Sequence, residues 1–475
     1  MEGRLFIDGK WETASNGAFS VRNPSSNEEV GTAADGSREE TRKAIEAAES
    51  ARPGWAGRTA AERASFLKEI HRLMMEKQEE LGELITLEMG KPFQEAKGEV
   101  AYAASFLEWF AEEAKRVYGE TIPANSPDKR MMVIHQPVGV SGAITPWNFP
   151  QAMVTRKVAP ALAAGCPVVL KPAEDTPLSA VKFAEICEEA GVPKGVFNLI
   201  TGQNAADIGG ELMANKTVRK VTFTGSTEVG KILMEQGADH IKKLSLELGG
   251  HAPILVLDDA EVEKAVDGTV ASKFRNAGQT CVCGNRVYVE ENIYDTFVER
   301  LKEEVEKLAV GDGFKEGVAL GPLINKEGWE KVDRHVKDAL DKGAEIVTGG
   351  RGWEENGGYF YEPTVLKNVT SDMVIMEEET FGPIAPVQKV SDENEGIHLS
   401  NNSPYGLASY FFTESMSRGM KVAEALEYGI VGWNDGRPSA AQAPFGGWKQ
   451  SGIGREGGHQ GIEPFLEIKY ISIGL

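Results

Sequence analysis

Short runs rich in β-branched residues recur along this chain, each bounded by Gly, Pro or Asp and each alternating with a helical pattern. The clearest are PVVLKP (167–172), RKVTFTG (219–225), APILVLDD (252–259) and NRVYVEE (285–291). Their length and composition are those of buried strands in a largely parallel sheet. The helical partners include PLSAVKFAEICEEAG (177–191) and a long segment from Thr59 to Gly90. In that segment Phe66, Leu67, Ile70, Leu73, Met74, Leu81, Leu84 and Ile85 recur at steps of three and four. Thr59 and Glu62 are spaced as a capping box and Gly90 lies near the end, so the pattern predicts one helical stripe. Repeated βα units of this kind predict an α/β doubly wound fold. At 475 residues the chain is too long for one compact core, which predicts two or three domains. After a glycine-rich stretch (444–461), LEIKYISIG (466–474) reads as a final strand. With no strand beside it in sequence, it must pair with another element or another subunit.

Composition narrows the function classes. A formal net charge of −21 repels nucleic-acid phosphates, so no nucleic-acid partner is expected. A small anionic substrate would need local arginines to overcome the same field. The opening MEGRLFIDGKWETAS carries charge throughout, so no signal peptide is expected, and no uncharged run approaches the roughly 20 residues of a membrane span. The expectation is a cytoplasmic protein without membrane contact, its thiols reduced.

Four cysteines are present, Cys166, Cys187, Cys281 and Cys283, and two of them share the tripeptide CVC in NAGQTCVCGNR (276–286). A metal clip, a disulfide and an activated thiol compete to explain the pair. Zinc sites draw on paired C-x2-C motifs or histidines, and neither is near, so no metal is expected. A resting disulfide is disfavoured in a reducing compartment, and residues two apart in extended chain approach the upper limit of the roughly 4.4–6.8 Å Cα separation. That leaves a nucleophile, against an ordinary buried cysteine. Glu247 in LSLELGGHAP interrupts an apolar run, and a carboxylate there must be paired or have a raised pKa, which suits either a core hydrogen bond or general-base work. Asn148 in ITPWNFP sits on a proline-stiffened turn, where it could donate to an oxyanion or simply stabilise the turn. FTGSTEVGK (223–231) follows a strand and opens a helix, with Gly225 for the turn and Ser226 at a helix N-terminus suited to phosphate.

In this order, PWNFP, KPAE, FTGSTEVG, LELGG, GQTC, EETFGP and PFGG make the chain resemble the aldehyde dehydrogenase superfamily over essentially its whole length. The resemblance implies a Rossmann-like cofactor domain (1–119 and 138–249), an α/β catalytic domain (250–442) and a small β oligomerisation element (120–137 and 443–475). It also implies a homodimer or homotetramer. Matched by motif position, Cys281 is the nucleophile, Glu247 the general base, and Asn148 with the Cys281 N–H the oxyanion hole. Glu379 and Phe381 fall at the nicotinamide half of the cofactor, Lys171 and Glu174 at the adenine ribose, Ser226 at the pyrophosphate, with Trp147 and Gly225 in the same set. A carboxylate at Glu174 accepts from a ribose 2′-hydroxyl and repels a 2′-phosphate, which favours NAD, while Lys171 keeps NADP as the alternative.

Within the superfamily, MVTRKVAPALAAGCPVV (153–169), SKFRNAGQTCVCGNR (272–286) and GIEPFLEIKYISIGL (461–475) are most similar to the succinate-semialdehyde dehydrogenases. That similarity implies a substrate carboxylate held by Arg156, Arg275 and Ser439, oxidation of succinate semialdehyde to succinate, and a place in GABA breakdown. It also implies that Cys283 is a resolving thiol able to close a reversible disulfide on Cys281. The chain departs from the pattern at His251, at Gly284, and at Arg437 and Pro438 in the loop GRPSAAQAP (436–444). Since that loop lines the substrate mouth, glutarate semialdehyde is a rival substrate; one methylene discriminates by only about 1–3 kcal/mol. A coenzyme-A-acylating enzyme is a further rival, against which Glu247 argues. An esterase and a non-catalytic protein retaining the fold are the others.

Overall fold

The computed structural model describes the chain from Met1 to Leu475. Five of the eight strands of the first sheet are parallel, in the spatial order Lys243–Glu247, Val218–Thr224, Val140–Ile144, Val168–Lys171, Phe197–Leu199. Val168 and Leu170 point into one apolar cluster and Val169 into another, so both faces of the sheet are covered. The strand Val140–Ile144 is followed in sequence by its neighbour on one side and later by its neighbour on the other. It is therefore the point at which the strand order reverses, and such sheets bind ligands outside the carboxyl ends of the strands there.

The second large sheet has seven strands drawn from residues 252–433, all parallel except the edge strand Glu345–Thr348. Two largely parallel sheets, each with its own core, give the α/β fold that the alternation of elements predicts. The final strand, Leu466–Gly474, pairs antiparallel with Lys129–Pro137 of the same chain, and Glu120–Ile122 completes a three-stranded sheet. Its outer edge is unpaired, with Ile468 and Tyr470 exposed.

Two expectations change in detail. The predicted stripe of residues 59–90 is two helices, Ala60–Glu76 and Gln78–Met89. The Thr59–Glu62 capping box forms and Gly90 ends the second helix in the left-handed conformation, but the chain breaks at Lys77. The break lets both segments pack separately against the helix Phe93–Glu113, which an unbroken rod could not follow. The glycine-rich stretch also does more than lead to the last strand. Gly452–Ile453 extends the first sheet beside Lys243–Glu247, while Trp448–Lys449 pairs with Tyr405–Gly406 next to the second. The expected boundary at 443 thus opens a segment that ties the two large sheets together.

Candidate active site

The turns leaving the strands Val140–Ile144 and Val218–Thr224 open into one cavity of about 270 Å³ between the two sheets, lined by Trp147, Asn148, Ser226, Cys281, Glu379 and Phe381 among others. Gly225 lies on the same wall.

The Asn148 turn is fixed from below. Lys91 donates to the Asn148 carbonyl at 2.8 Å and pairs with Glu99 at 2.6 Å, all in the buried interior. The other Glu99 oxygen accepts the Gln151 N–H at 2.9 Å. Asn148 Nδ2 gives one proton to the Gln279 carbonyl at 3.0 Å and keeps the second free.

Cys281 arrives on an unusual backbone. Asn276, Ala277 and Gly278 adopt φ of 53°, 53° and 73° in succession. Non-glycine residues in that region cost roughly 1–3 kcal/mol each and persist only where the surroundings hold them. Here Asn276 Nδ2 ties the Asn148 and Gln279 carbonyls at 3.1 and 3.2 Å, joining the nucleophile's turn to the amide's turn. Behind the turn a side chain at Gly250 would place its Cβ 2.4 Å from the Cys281 carbonyl oxygen, so only glycine fits. The Cys281 N–H has no protein acceptor. Burial pushes the Cys281 thiol up to about 12, opposed by the guanidiniums of Arg156 and Arg275.

Glu247 ends the strand Lys243–Glu247 and is buried with both carboxylate oxygens unpartnered. Burial, reinforced by Glu456, raises it well above the ordinary carboxylate range, against Arg156 and Lys157. Glu456 has the opposite fate. Burial would raise it, but Lys157 and Arg156 outweigh that and hold it low. Lys157 Nζ bonds Glu456 Oε1 and, at 2.6 Å, the Thr224 hydroxyl; Arg156 Nε stands 3.1 Å from Glu456 Oε2. Lys157 and Glu456 escape the sequence reading. Two adjacent cations in the otherwise buried apolar helix Ala152–Ala164 are the signal that could have flagged Lys157. Glu456, in a glycine-rich stretch, offers none.

On the opposite wall, Ser226 caps the helix Thr227–Gly237, its Oγ accepting from Val229 N–H. Gly225 is not in the left-handed region; it is needed because a Cβ there would lie 2.3 Å from the Phe223 ring. Glu379 accepts the Gly250 N–H at 3.0 Å, and burial raises its carboxyl to about 7. Phe381, with φ of 56°, packs edge-on against Trp147 at 5.6 Å.

The remaining residues lie around this centre. Lys171 is buried at the end of the strand beside Val140–Ile144 and pairs with the half-exposed Glu174 at 2.8 Å. Glu174 lines a separate cavity. The three residues expected at a substrate carboxylate do not share one cavity. Arg156 is buried between Glu456 and the Phe445 ring, 3.8 Å away. Arg275 lies over Phe149 and lines a second cavity of about 580 Å³, and Ser439 is half-buried in the neighbouring loop. Cys283 is fully buried, with its sulfur 3.3 Å from Lys273 Nζ.

A thiol on a strained turn, facing a groove at the switch point of a doubly wound sheet, marks an enzyme that works on a small molecule held against a nucleotide. The kind of enzyme follows from kinship. Residues 11–471 match the sequence model of the Aldehyde dehydrogenase family, and the chain belongs to that family. It is 56% identical over 473 residues to the succinate-semialdehyde dehydrogenase [NADP(+)] of Escherichia coli, covering 99% of this chain and 98% of that one. It is 55% identical over 472 residues to a glutarate-semialdehyde dehydrogenase of Pseudomonas aeruginosa, covering 99% and 97%. A crystal structure of an E. coli NADP-dependent enzyme superposes with a TM-score of 0.98 at 55% identity, covering 100% of this chain and 98% of the other.

Proposed function

We propose that the chain oxidises succinate semialdehyde to succinate, with Cys281 as nucleophile and NAD as hydride acceptor. The observation that carries this is the convergence at Cys281 of a free backbone N–H, a free Asn148 N–H and, within electrostatic reach, a carboxylate with both oxygens unpartnered. The Cys281 thiol gives up its proton to solvent, and the thiolate, disfavoured by burial but offset by Arg156 and Arg275, adds to the aldehyde carbon. The two N–H groups receive the oxyanion of the resulting thiohemiacetal. Collapse of that oxyanion expels hydride and leaves the acyl group on sulfur as a thioester. Glu247 then takes a proton from water, whose oxygen attacks the thioester and releases the acid. Such a base favours water over coenzyme A as the acceptor.

The residues fit a nicotinamide dinucleotide. Gly225 admits the close backbone approach, Ser226 opens an eleven-residue helix with free N–H groups, and Glu379 has one oxygen not engaged by Gly250. When bound, the dinucleotide supplies the hydride acceptor beside Cys281. Glu174 is suited to a ribose hydroxyl. Because Lys171 is already paired with Glu174, its charge is less free for a 2′-phosphate, which supports NAD over NADP. We take residues 1–119 and 138–249 as the cofactor domain, 250–442 as the catalytic domain, and 120–137 with 443–475 as the oligomerisation element.

The same reading makes the enzyme a cytoplasmic homodimer or homotetramer serving GABA breakdown. Its four free cysteines, the absence of any helix long and apolar enough to cross a membrane, and the exposed edge of the last strand support it. A panel of initial rates with succinate, glutarate, aliphatic and aromatic aldehydes against NAD and NADP tests the function. Succinate semialdehyde with NAD is expected to give the highest kcat/KM. Arg275→Ala is expected to raise KM for succinate semialdehyde far more than for a neutral aldehyde. Equal losses on both would remove the carboxylate role.

A further inference from the structure

Most arginines of this acidic chain are paired with a carboxylate or bonded to a carbonyl, but two that line the same 580 Å³ cavity are not. Arg275 only stacks over Phe149, at 5.2 Å. Arg437 is exposed, and its one hydrogen bond is through the backbone N–H, to Asp435 Oδ1 at 2.8 Å. The acidic groups on the same lining are Glu95, Asp267 and Glu304. Glu304 is paired with Lys307 at 2.6 Å, and Glu95 accepts the Asn276 N–H at 3.1 Å. Glu95 keeps its second oxygen unpartnered in the buried floor, and Asp267 is unpaired at the exposed rim.

The position of Arg437 is built rather than incidental. Asn434 clamps the start of its loop by exchanging hydrogen bonds with the Thr413 backbone at 2.9 and 3.1 Å. Gly436 then rests on the helix Val262–Lys273, where a Cβ would lie 2.3 Å from the Gly268 carbonyl oxygen. Pro438 fixes φ on the other side. That helix ends at Lys273, two residues before Arg275, so the loop of Arg437 packs on the element that leads into Arg275. Arg275 is half-buried and Arg437 exposed, so the two free guanidiniums stand at different depths. Arg275 acts electrostatically on Cys281, and Arg437 lies further out.

We propose that Arg437 is a distal anion-holding residue that sets the accepted chain length, receiving the carboxylate of five- and six-carbon semialdehydes while Arg275 serves the four-carbon acid. The inference rests on the reading of Cys281 as nucleophile and Arg275 as carboxylate partner. Guanidinium–carboxylate pairing gives Arg437 the chemistry, and the cavity wall it shares with Arg275 places it beside the residue that serves the shorter acid.

The test is kcat/KM for succinate, glutarate and adipate semialdehydes and for hexanal, on the wild type, Arg437→Ala, Arg437→Lys and Arg275→Ala. Arg437→Ala is expected to lower the values for the two longer acids by about tenfold, mainly through KM. For succinate semialdehyde the loss is at most about threefold, hexanal shows no preferential loss, and Arg437→Lys recovers most of the difference. An equal factor on all three acids, or an equal loss on hexanal, overturns the proposal. If instead Arg275→Ala leaves all three acids untouched, the underlying carboxylate reading fails, whatever the chain-length ratio of Arg437→Ala.

Discussion

The two walls that meet at Cys281 are made in different ways. The nucleophile's wall is local: three consecutive left-handed residues, Asn276 to Gly278, throw the thiol forward, and neighbouring backbone carbonyls hold the turn. The base's wall is a buried cluster of four charges, Glu247, Glu456, Arg156 and Lys157, gathered from three distant segments. The first wall works by position, because the hydrogen bonds that hold the turn set the backbone from which Cys281 projects. The second works by electrostatics, because two cations neutralise Glu456 and leave Glu247 as the carboxylate that burial drives upward. Altering the first wall should therefore cost rate at once, while altering the second should move the pH at which rate appears.

The largest effect is expected at the thiol itself. Cys281→Ala should reduce kcat by about a thousandfold or more without changing the thermal midpoint appreciably, measured by steady-state rates and calorimetry. Retained turnover would assign the chemistry elsewhere.

The charged wall separates two roles. Glu247→Gln should slow turnover by about a hundredfold and leave a burst of reduced cofactor on mixing, since the thioester forms but is not hydrolysed. Glu456→Gln should cost less, about tenfold, and shift the acid limb of the kcat profile to lower pH. The sign follows from the charges: Glu247 must be ionised to act, Glu456 helps to raise its pKa, and removing that negative charge lets Glu247 ionise at lower pH. An unshifted limb would make Glu456 a structural partner of Lys157 and no more. Because Arg156 and Lys157 would lose their counter-charge, a lower thermal midpoint is expected alongside.

The smallest expected effect lies behind the nucleophile. Cys283 is buried against Lys273, so closing a disulfide on Cys281 requires it to leave that contact. Peroxide inactivation should be reversed by dithiothreitol in the wild type and not in Cys283→Ala. Identical reversibility in both would rule the switch out.

The strands 167–172, 219–225, 252–259 and 285–291 were legible because β-branched runs between Gly, Pro and Asp have few other fates, and each forms within a few residues of its expected bounds. The break at Lys77 was not, since the apolar spacing continues across it and only packing against Phe93–Glu113 demands it. The same division runs through the candidate site. Cys281, Asn148, Gly225 and Ser226 stand in short motifs whose local backbone brings them to the cleft.

By itself the chain's sequence determined the α/β plan, the doublet with one cysteine set on a turn, and the acid embedded before two glycines, because each is a property of neighbouring residues. Only the tertiary structure decided that Arg156 faces Glu456, that Lys157 joins them beside Glu247, and that Arg275 and Arg437 share a wall. Those pairings join residues far apart in the chain. A charge's partner, unlike a strand's pattern, leaves no periodic mark in the sequence from which it could be read.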